Sequence, residues 1–444
     1  MVKAKITGLS VTDVRFPTSM EHHGSDAMHT DPDYSAAYVV LETDSCDGLK
    51  GYGLTFTLGK GTEVVVSAVK ALSRLVVGRI FRDVVENFSG FYRELTSDGQ
   101  LRWIGPEKGA VHLATAAVLN AVWDLWAKKL RKPLWKLLVD MTPEQLVSCI
   151  DFRYISDALT DEEALEILRN GRQEGEIREQ YMLQNGYPAY TTSCAWLGYP
   201  DEQLEKLCTE AIKEGWTRFK VKVGADLIDD YRRCKLIRNL IGSERTLLLD
   251  ANQRWEIDEA ISWVKELAEF KPLWIEEPTS PDDILGHAAI SKALEPLGIG
   301  VATGEQCHNR VMFKQFLQAR ALQYLQIDSC RLGSVNENLS VLLMAKKFNI
   351  PVCPHAGGVG LCELVQHLII FDYISVSGSL ENRMCEYVDH LHEHFKYPVV
   401  IQNAAYMPPK DPGYSTEMIV ESVLQHQYPD GEVWQKLALE KEEL

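Results

Sequence analysis

The sequence is short of positive charge. Its 46 lysines and arginines face 63 aspartates and glutamates over 444 residues, a formal net charge of −17, and no part of the chain gathers lysine and arginine into a patch. Such a negative field repels phosphate backbones and anionic membranes, so neither nucleic acid nor a membrane surface is expected as a partner. Long apolar runs are scarce as well. No stretch approaches the roughly 20 apolar residues that a spanning helix needs. The start, "MVKAKITGLSVTDVRF", lacks the long apolar centre of a secretory signal and is not the Arg- and Ser-rich segment of a transit peptide; it reads as a first strand. The ten cysteines form no Cys-x-x-Cys pair. Several sit in apolar runs, such as Cys330 in "YLQIDSC" and Cys353 in "IPVCPH", which predicts reduced, mostly buried thiols and a cytosolic or matrix compartment.

What remains is an ordinary globular composition, 45% hydrophobic and 25% charged, long enough for two or three domains with large cores. Residues 1 to about 60 carry the alternating runs "ITGLSVTDVRF" and "AAYVVLETD" and the turn-rich "CDGLKGYGLTF", which predict a small antiparallel sheet. Residues 62–78 and 106–129 read as helices, the second opening on Pro106 at a first-turn position. The first domain, residues 1–145, is therefore expected to be α+β. From residue 146 the pattern changes to short strand-like runs alternating with amphipathic helical segments: "LVSCIDF", "AYTTSCAWLG", "FKVKVG", "TLLLDAN", "PLWIEEP", "GIGVATGE", "YLQIDSC", "IPVCPH" and "YISVSG". Repeated βα units predict a parallel sheet with helices outside, over residues 146–400. Residues 401–444 follow as a segment that packs back on the first domain, ending in a charged tail, "EKEEL".

Open sheets and closed barrels share this pattern, and the placing of unusual residues separates them. Lys220, Asp250, Glu276, Glu305, Asp328, His355 and Glu386 fall within or just after successive strands, at intervals of 30, 26, 29, 23, 27 and 31 residues. One polar group per unit, always toward the strand's C-terminal end, is what a barrel with its site at that face requires. Within "WTRFKVKVGAD", Lys220 and Lys222 alternate with Phe219, Val221 and Val223, so both ammonium groups leave the strand on one side.

Asp250, Glu276 and Glu305 come from consecutive units. Three converging buried carboxylates repel one another unless a cation joins them, and an all-oxygen set favours magnesium, one ion per subunit, with manganese possible. To act as a base, a lysine that ordinarily titrates near about 10.4 must be brought toward neutrality, and a second lysine and a divalent cation both push that way. On the opposite side, Asp328 stands one unit before His355, where it can hold the imidazole's tautomer. A lysine and a His–Asp pair flanking a metal suit proton abstraction beside a carboxylate, with an acid on the other face to expel a leaving group. Glu386, in "MCEYVD", is placed to hydrogen-bond that region.

Together "KVKVGAD", "LLLDANQRW", "WIEEP", "TGEQ", "QIDSCRLGS", "PHAGG" and the earlier "AVWDLWAKKLRKPLWKLL" resemble the mandelate racemase branch of the enolase superfamily over nearly the whole chain. The resemblance implies an α/β fold, a modified TIM barrel, (β/α)7β, carrying an N-terminal α+β capping domain. It implies Asp250, Glu276 and Glu305 as Mg²⁺ ligands, Lys222 as acid/base with Lys220 beside the substrate carboxylate, and His355 paired with Asp328 as the second acid/base. Glu305, His355, Ala356, Gly357 and Glu386 would also meet substrate. "DAMHTDPDYSAAYVV" and "GQLRWIGPEKG" narrow the likeness to the L-fuconate dehydratases of that branch and their mitochondrial animal relatives, which implies a mitochondrial location. The polar loop "HHGSDAMHTDPDYS", residues 22–35, then reads as a lid, with Gly24, Ser25, Asp26 and Tyr34 reading sugar hydroxyls and "TFTLGKGTE", residues 55–63, as its neighbour.

The expected activity is that of a carbon-oxygen hydro-lyase, a Mg²⁺-dependent dehydration of a small acid sugar, L-fuconate, to a 2-keto-3-deoxy acid, by a homo-oligomer. Racemisation or epimerisation at C2 is open to the same groups, and a binding or regulatory protein that keeps the scaffold without turnover is the reading from another class. "HLHEHF", residues 390–395, is expected to be a solvated surface segment, and "GLKGYGLTF" a hairpin, since its glycines fail the dinucleotide-loop spacing at the third position.

Overall fold

The computed structural model describes residues 4–105 and 107–442, the side chains of 441 and 442 excepted; Pro106 and the last two residues of the "EKEEL" tail lie outside the described residues. Strands β1 (Ile6–Arg15), β2 (Ser35–Thr43) and β3 (Gly51–Thr57) form an antiparallel sheet in that order. "GLKGYGLTF" runs from the β2–β3 turn into β3, a hairpin as its spacing predicts. Helices Thr62–Val76 and Gly109–Lys129 lie on one face of the sheet. The second comes unusually close. Gly51 and Gly53 are two apart and share a face of β3, and a Cβ added at either would stand 2.3 Å from a helix carbonyl, that of Ala121 or Ala117. Two side chains are absent from the strand so that a helix backbone can rest on it.

That helix also corrects an expectation. Its 21 residues are long and apolar enough, by length and composition alone, to cross a membrane. Yet 83% of its most apolar window is buried inside the protein, where Trp123 stacks on Trp126 with ring centroids 5.1 Å apart. An apolar surface on all sides is what a helix at the centre of a large fold needs.

The barrel strands are β4 (Tyr187–Thr191), β5 (Arg218–Lys222), β6 (Thr246–Asp250), β7 (Trp274–Glu276), β8 (Gly300–Thr303), β9 (Tyr324–Leu325) and β10 (Cys385–Tyr387). β4 to β9 pair in sequence, all parallel. The extended stretch 351–355 fills the eighth place: Val352 bridges Leu325, and the Pro354 carbonyl accepts the Glu386 N–H at 3.1 Å. β10 then pairs with β4 and closes the ring. Side chains alternate across this wall. Phe219 and Val221 face the outer helices, whereas Tyr190, Leu248, Trp274, Ala302, Cys353 and Met384 meet inside as a separate apolar cluster. That cluster plugs the barrel.

Two runs read as strands are not strands. "LVSCIDF" starts in the last two residues of the short helix Pro143–Val147, which opens on Thr142 with a capping box to Gln145 and proline at N1, and continues as a turn and irregular chain. "YISVSG" carries on from helix Leu361–Phe371 as a π-helical turn, Asp372–Ser377, ended by Gly378 at φ +66°. Short apolar runs carry no period that separates strand from helix or turn. "HLHEHF" is not a free surface segment either. His390 stacks on Tyr34 at 5.4 Å, His392 Nδ1 lies 2.6 Å from the buried Glu363, and Phe395 is buried.

Beyond the barrel the chain returns across the first sheet. Met418 donates its N–H to the Tyr38 hydroxyl, and Tyr428 its own to the Asp13 carbonyl; the Arg15 guanidinium covers the Tyr428 ring at 3.7 Å. "EKEEL" begins inside the final helix, Glu432–Glu442. Nine of the ten cysteines are buried and all are free.

Replacing Gly53 with valine forces the Gly109–Lys129 helix off its strand and is expected to cost about 1–3 kcal/mol in urea unfolding. Gly99→Val, at a site with no atom within 4 Å of the added Cβ, is expected to change little.

Candidate active site

Strand register builds the centre of the site. Lys222 pairs laterally with Asp250, and Asp250 with Glu276, so three ionisable groups stand side by side on the inner wall, one layer above the apolar plug. Lys220 sits one step lower, in register with Leu248 and 5.5 Å above the Tyr190 ring. Glu305 follows β8 and leans in from the rim. Ligand oxygens of Asp250, Glu276 and Glu305 lie within 4.8 Å of one another, and Glu276 Oε2 is buried with no hydrogen-bond partner. An orphaned carboxylate oxygen among two further acids fits a hard divalent cation.

The lysines share these acids. Lys220 Nζ is 2.8 Å from Glu276, 3.2 Å from Asp250 and 2.6 Å from Glu386. Lys222 Nζ is 2.6 Å from Asp250 Oδ2 and 3.0 Å from Asn252 Oδ1. In the metal-free chain burial opposes the charge on Lys222, but Asp250, with Asp26 and Glu305 farther off, outweighs both burial and Lys220 and raises its pKa. A divalent cation on the same acids acts in the opposite direction. Burial and the nearby Asp250 push Glu276 up to about 8.

Across the cavity His355 Nδ1 lies 2.7 Å from Asp328 Oδ2, and its Nε2 lies 3.5 Å from Glu305 and 3.7 Å from Glu386. Asp328 is itself fixed by the N–H groups of Cys330 and Arg331 at 2.7 and 2.6 Å. Burial opposes the imidazolium, but Glu305, the Asp328 hydrogen bond and Glu386 raise its pKa to about 9. Glu386 Oε2 accepts the Ala356 N–H at 2.9 Å while Oε1 meets Lys220, so this carboxylate ties the lysine side of the site to the histidine side.

A cavity of about 480 Å³ opens above these groups. Lys222, Glu305, Asp328, His355, Gly357 and Glu386 line it from the barrel; Gly24, Asp26 and Tyr34 line it from the loop 22–35, and Phe56, Thr57, Leu58, Lys60 and Gly61 from the neighbouring loop. Lys220, Asp250 and Glu276 lie below its floor. Ser25 and Ala356 do not line it. Sequence reasoning passed over His29, Thr192, Trp196, Asn252 and Arg331, which do. Asn252 had a weak signal, standing two residues past Asp250 in the turn that leaves the strand. His29 had none; its Nδ1 is held 3.0–3.1 Å from both Asp26 oxygens, and that hydrogen bond raises the imidazole's pKa against partial burial.

A closed, plugged barrel with acids, lysines and a His–Asp pair at its C-terminal mouth, beneath a separate sheet-and-helix cap, defines an enolase-type architecture. Residues 10–139 match the N-terminal domain of mandelate racemase and muconate lactonizing enzyme, and residues 203–423 match the enolase C-terminal domain-like family. The chain belongs to the enolase superfamily, as the motif resemblance implies. It is 80% identical to mitochondrial enolase superfamily member 1 of Xenopus laevis, over 99% of both chains. The crystal structure of the human protein of that name, 77% identical, superposes with a TM-score of 0.97 over 98% of each chain. L-galactonate dehydratase of Hypocrea jecorina is 52% identical over 97% of this chain and 95% of its own. The fold alone is shared with L-talarate/galactarate dehydratase of Salmonella typhimurium, solved with magnesium and L-lyxarohydroxamate, at 21% identity and a TM-score of 0.72 over 95% and 92% of the two chains.

The site makes His355 a pH-dependent group. In metal-free protein its imidazolium is expected to persist up to about pH 9, and Asp328→Asn to lower that midpoint, as followed by NMR of the ring protons. Because the folded value lies above the ordinary 6.5, the charge adds stability that is complete below pH 6.5 and lost as pH rises through about 9.

Proposed function

We propose that the protein is a Mg²⁺-dependent sugar-acid dehydratase, a hydro-lyase whose substrate is L-fuconate. One observation carries the reading: Lys222 and the His355–Asp328 pair border a single cavity from two sides of the acid cluster Asp250, Glu276 and Glu305. Two acid/base groups of different chemistry suit removal of a proton on one side and assistance to a leaving group on the other. The relative at 52% identity is named for L-galactonate, and L-fuconate is that acid without its C6 hydroxyl, so the carbons that react are the same. The name of the Xenopus and human relatives supports a mitochondrial location, and self-association into a homo-oligomer completes the proposal. The reading assigns a capping role to residues 1–145, catalysis to the barrel of residues 146–400, and a bracing role to residues 401–444.

Asp250, Glu276 and Glu305 hold the metal. When bound, Mg²⁺ supplies positive charge beside the substrate carboxylate and offsets the acids that otherwise hold the Lys222 proton in place. Lys220, pinned by Glu276 and Glu386, gives that carboxylate a second cationic neighbour. Lys222 takes the C2 proton, and the electron pair left behind spreads into the carboxylate as an enediolate. His355, kept in one orientation by Asp328, gives a proton to the C3 hydroxyl as the C3–O bond breaks, and water departs. The resulting enol takes a proton at C3 and becomes the 2-keto-3-deoxy acid. Epimerisation would use the same first step but return the proton to C2, so the product separates the two outcomes.

With L-fuconate and Mg²⁺ in D₂O, Lys222→Ala is expected to abolish both turnover and deuterium exchange at C2. His355→Asn should lower kcat by about 10²–10⁴-fold while exchange at C2 continues. A Lys222→Ala enzyme that exchanged normally would remove the lysine from its role. EDTA should stop formation of the 2-keto-3-deoxy acid and added Mg²⁺ should restore it; a racemised or epimerised acid as the sole product would replace dehydration with the alternative.

A further inference from the structure

The loop 22–35 spends its polar atoms on itself and on the barrel. Gly24 has φ +78°, and a Cβ there would stand 2.4 Å from the Tyr34 hydroxyl oxygen, so its bareness makes room for that ring. The Ser25 hydroxyl donates to the Thr30 carbonyl at 3.1 Å, and the Ser25 carbonyl accepts the Leu197 N–H at 3.0 Å. Asp26 Oδ1 accepts the N–H groups of Met28 and His29 at 2.8 and 2.7 Å, and both Asp26 oxygens face His29 Nδ1. A carboxylate has about four acceptor positions, so little of Asp26 is left for a ligand. The ring that it holds is a different matter. His29 lines the cavity with Lys222, Asn252 and Glu305, its side chain is 33% exposed, and its Nε2 has no hydrogen-bond partner among the described residues. Ala27 reaches within 3.4 Å of where a side chain on Gly224 would lie, two residues past Lys222; the loop is seated over the mouth of the barrel.

We propose that His29 is a further substrate-binding residue of this loop, its Nε2 hydrogen-bonded to a hydroxyl of the acid sugar beyond C3, and that Asp26 positions its ring. The proposal rests on the dehydratase reading above. Lysines and acids on the barrel wall take the carboxylate and C2, and His355 takes the C3 hydroxyl, which leaves the remaining carbons for the cap side. With Nδ1 committed to Asp26, a neutral ring offers the Nε2 lone pair to a hydroxyl and a protonated ring offers an N–H. Both states satisfy a hydroxyl, and neither is satisfied by an aliphatic carbon. A site built to hydrogen-bond a substrate hydroxyl discriminates against an analogue that lacks it.

Steady-state kinetics of the full-length enzyme with Mg²⁺, on L-fuconate and on L-galactonate, test the assignment. On whichever acid the unaltered enzyme dehydrates, His29→Leu should raise KM about tenfold or more with kcat within about threefold, and His29→Gln should recover part of the loss. Asp26→Asn should raise KM less, and the Asp26→Asn/His29→Leu double variant should be no worse than His29→Leu alone, because support for the ring matters only while the ring is there. The Tm without Mg²⁺ and its rise on adding Mg²⁺ should stay the same in every variant, which shows the fold and the acid cluster intact. A KM within twofold of the unaltered enzyme in both His29 variants, or additive losses in the double variant, would overturn the assignment. If the unaltered chain dehydrates neither acid, the functional reading itself fails and the role of His29 falls with it; that outcome is read on the unaltered chain and is not confused with the others.

Discussion

Mutual repulsion among buried carboxylates is the constraint on which the rest of the barrel mouth depends. Asp250, Glu276 and Glu305 bring ligand oxygens within 4.8 Å of one another, and Glu277 lies fully buried beside them, its carboxyl pushed far up by burial and by Glu305 and Asp250. Such a cluster persists where the surroundings supply positive charge or where some of its members keep their protons. Lys220 and Lys222 do so from the adjacent strand, and Glu386 links that strand to the histidine side by meeting Lys220 and the Ala356 N–H together. The backbone carries part of the strain: Asn252, Gln253 and Glu277 all have positive φ, at +46°, +70° and +41°, just past the ends of β6 and β7. Non-glycine residues are held in that region only where surrounding contacts over-determine them.

Much of this was legible in the chain because a barrel is a repeating object. Spacing of 23 to 31 residues between ionisable groups predicts that they rise at one face, and the parallel register of β5, β6 and β7 places Lys222, Asp250 and Glu276 side by side. Alternation within "FKVKV" likewise separates inner from outer side chains. What escaped had no period. "YISVSG" and "LVSCIDF" are short, apolar and β-branched or mixed, and their state is settled by what precedes them: a buried helix that runs on into the first, and a short helix started by a proline and a capping box that ends inside the second. His29 escaped because its relation to Asp26 is local and looks like any polar loop. Only the cavity gives that pair a direction.

The two parts of the molecule divide the work by how they hold their side chains. Lys220, Lys222, Asp250, Glu276 and Glu386 stand on strands whose register fixes them to their neighbours, and Glu305, Asp328 and His355 come just past the strand ends. The cap contributes loops, held by a hydrogen bond here and a ring contact there: Ser25 to Leu197, Tyr34 against His390 and Phe56. Reacting atoms need the first kind of support, and a binding wall that must suit one sugar among several is built from the second. The returning C-terminal segment crosses both, with Ala405 and Tyr406 paired to β4 and Trp434 bonded to the Arg15 carbonyl.

The apolar cluster of Tyr190, Leu248, Trp274, Ala302, Cys353 and Met384 has a bearing on traffic as well as on packing. It makes the barrel a cul-de-sac. Lys220, directly above it and 1% exposed, has no aqueous route from below, so any proton or water exchanged at the floor of the site passes through the mouth, beneath the cap loops. In the proposed reaction incoming sugar, departing water and finished keto acid share one doorway, and the loops proposed to bind the substrate are also the ones the product has to pass.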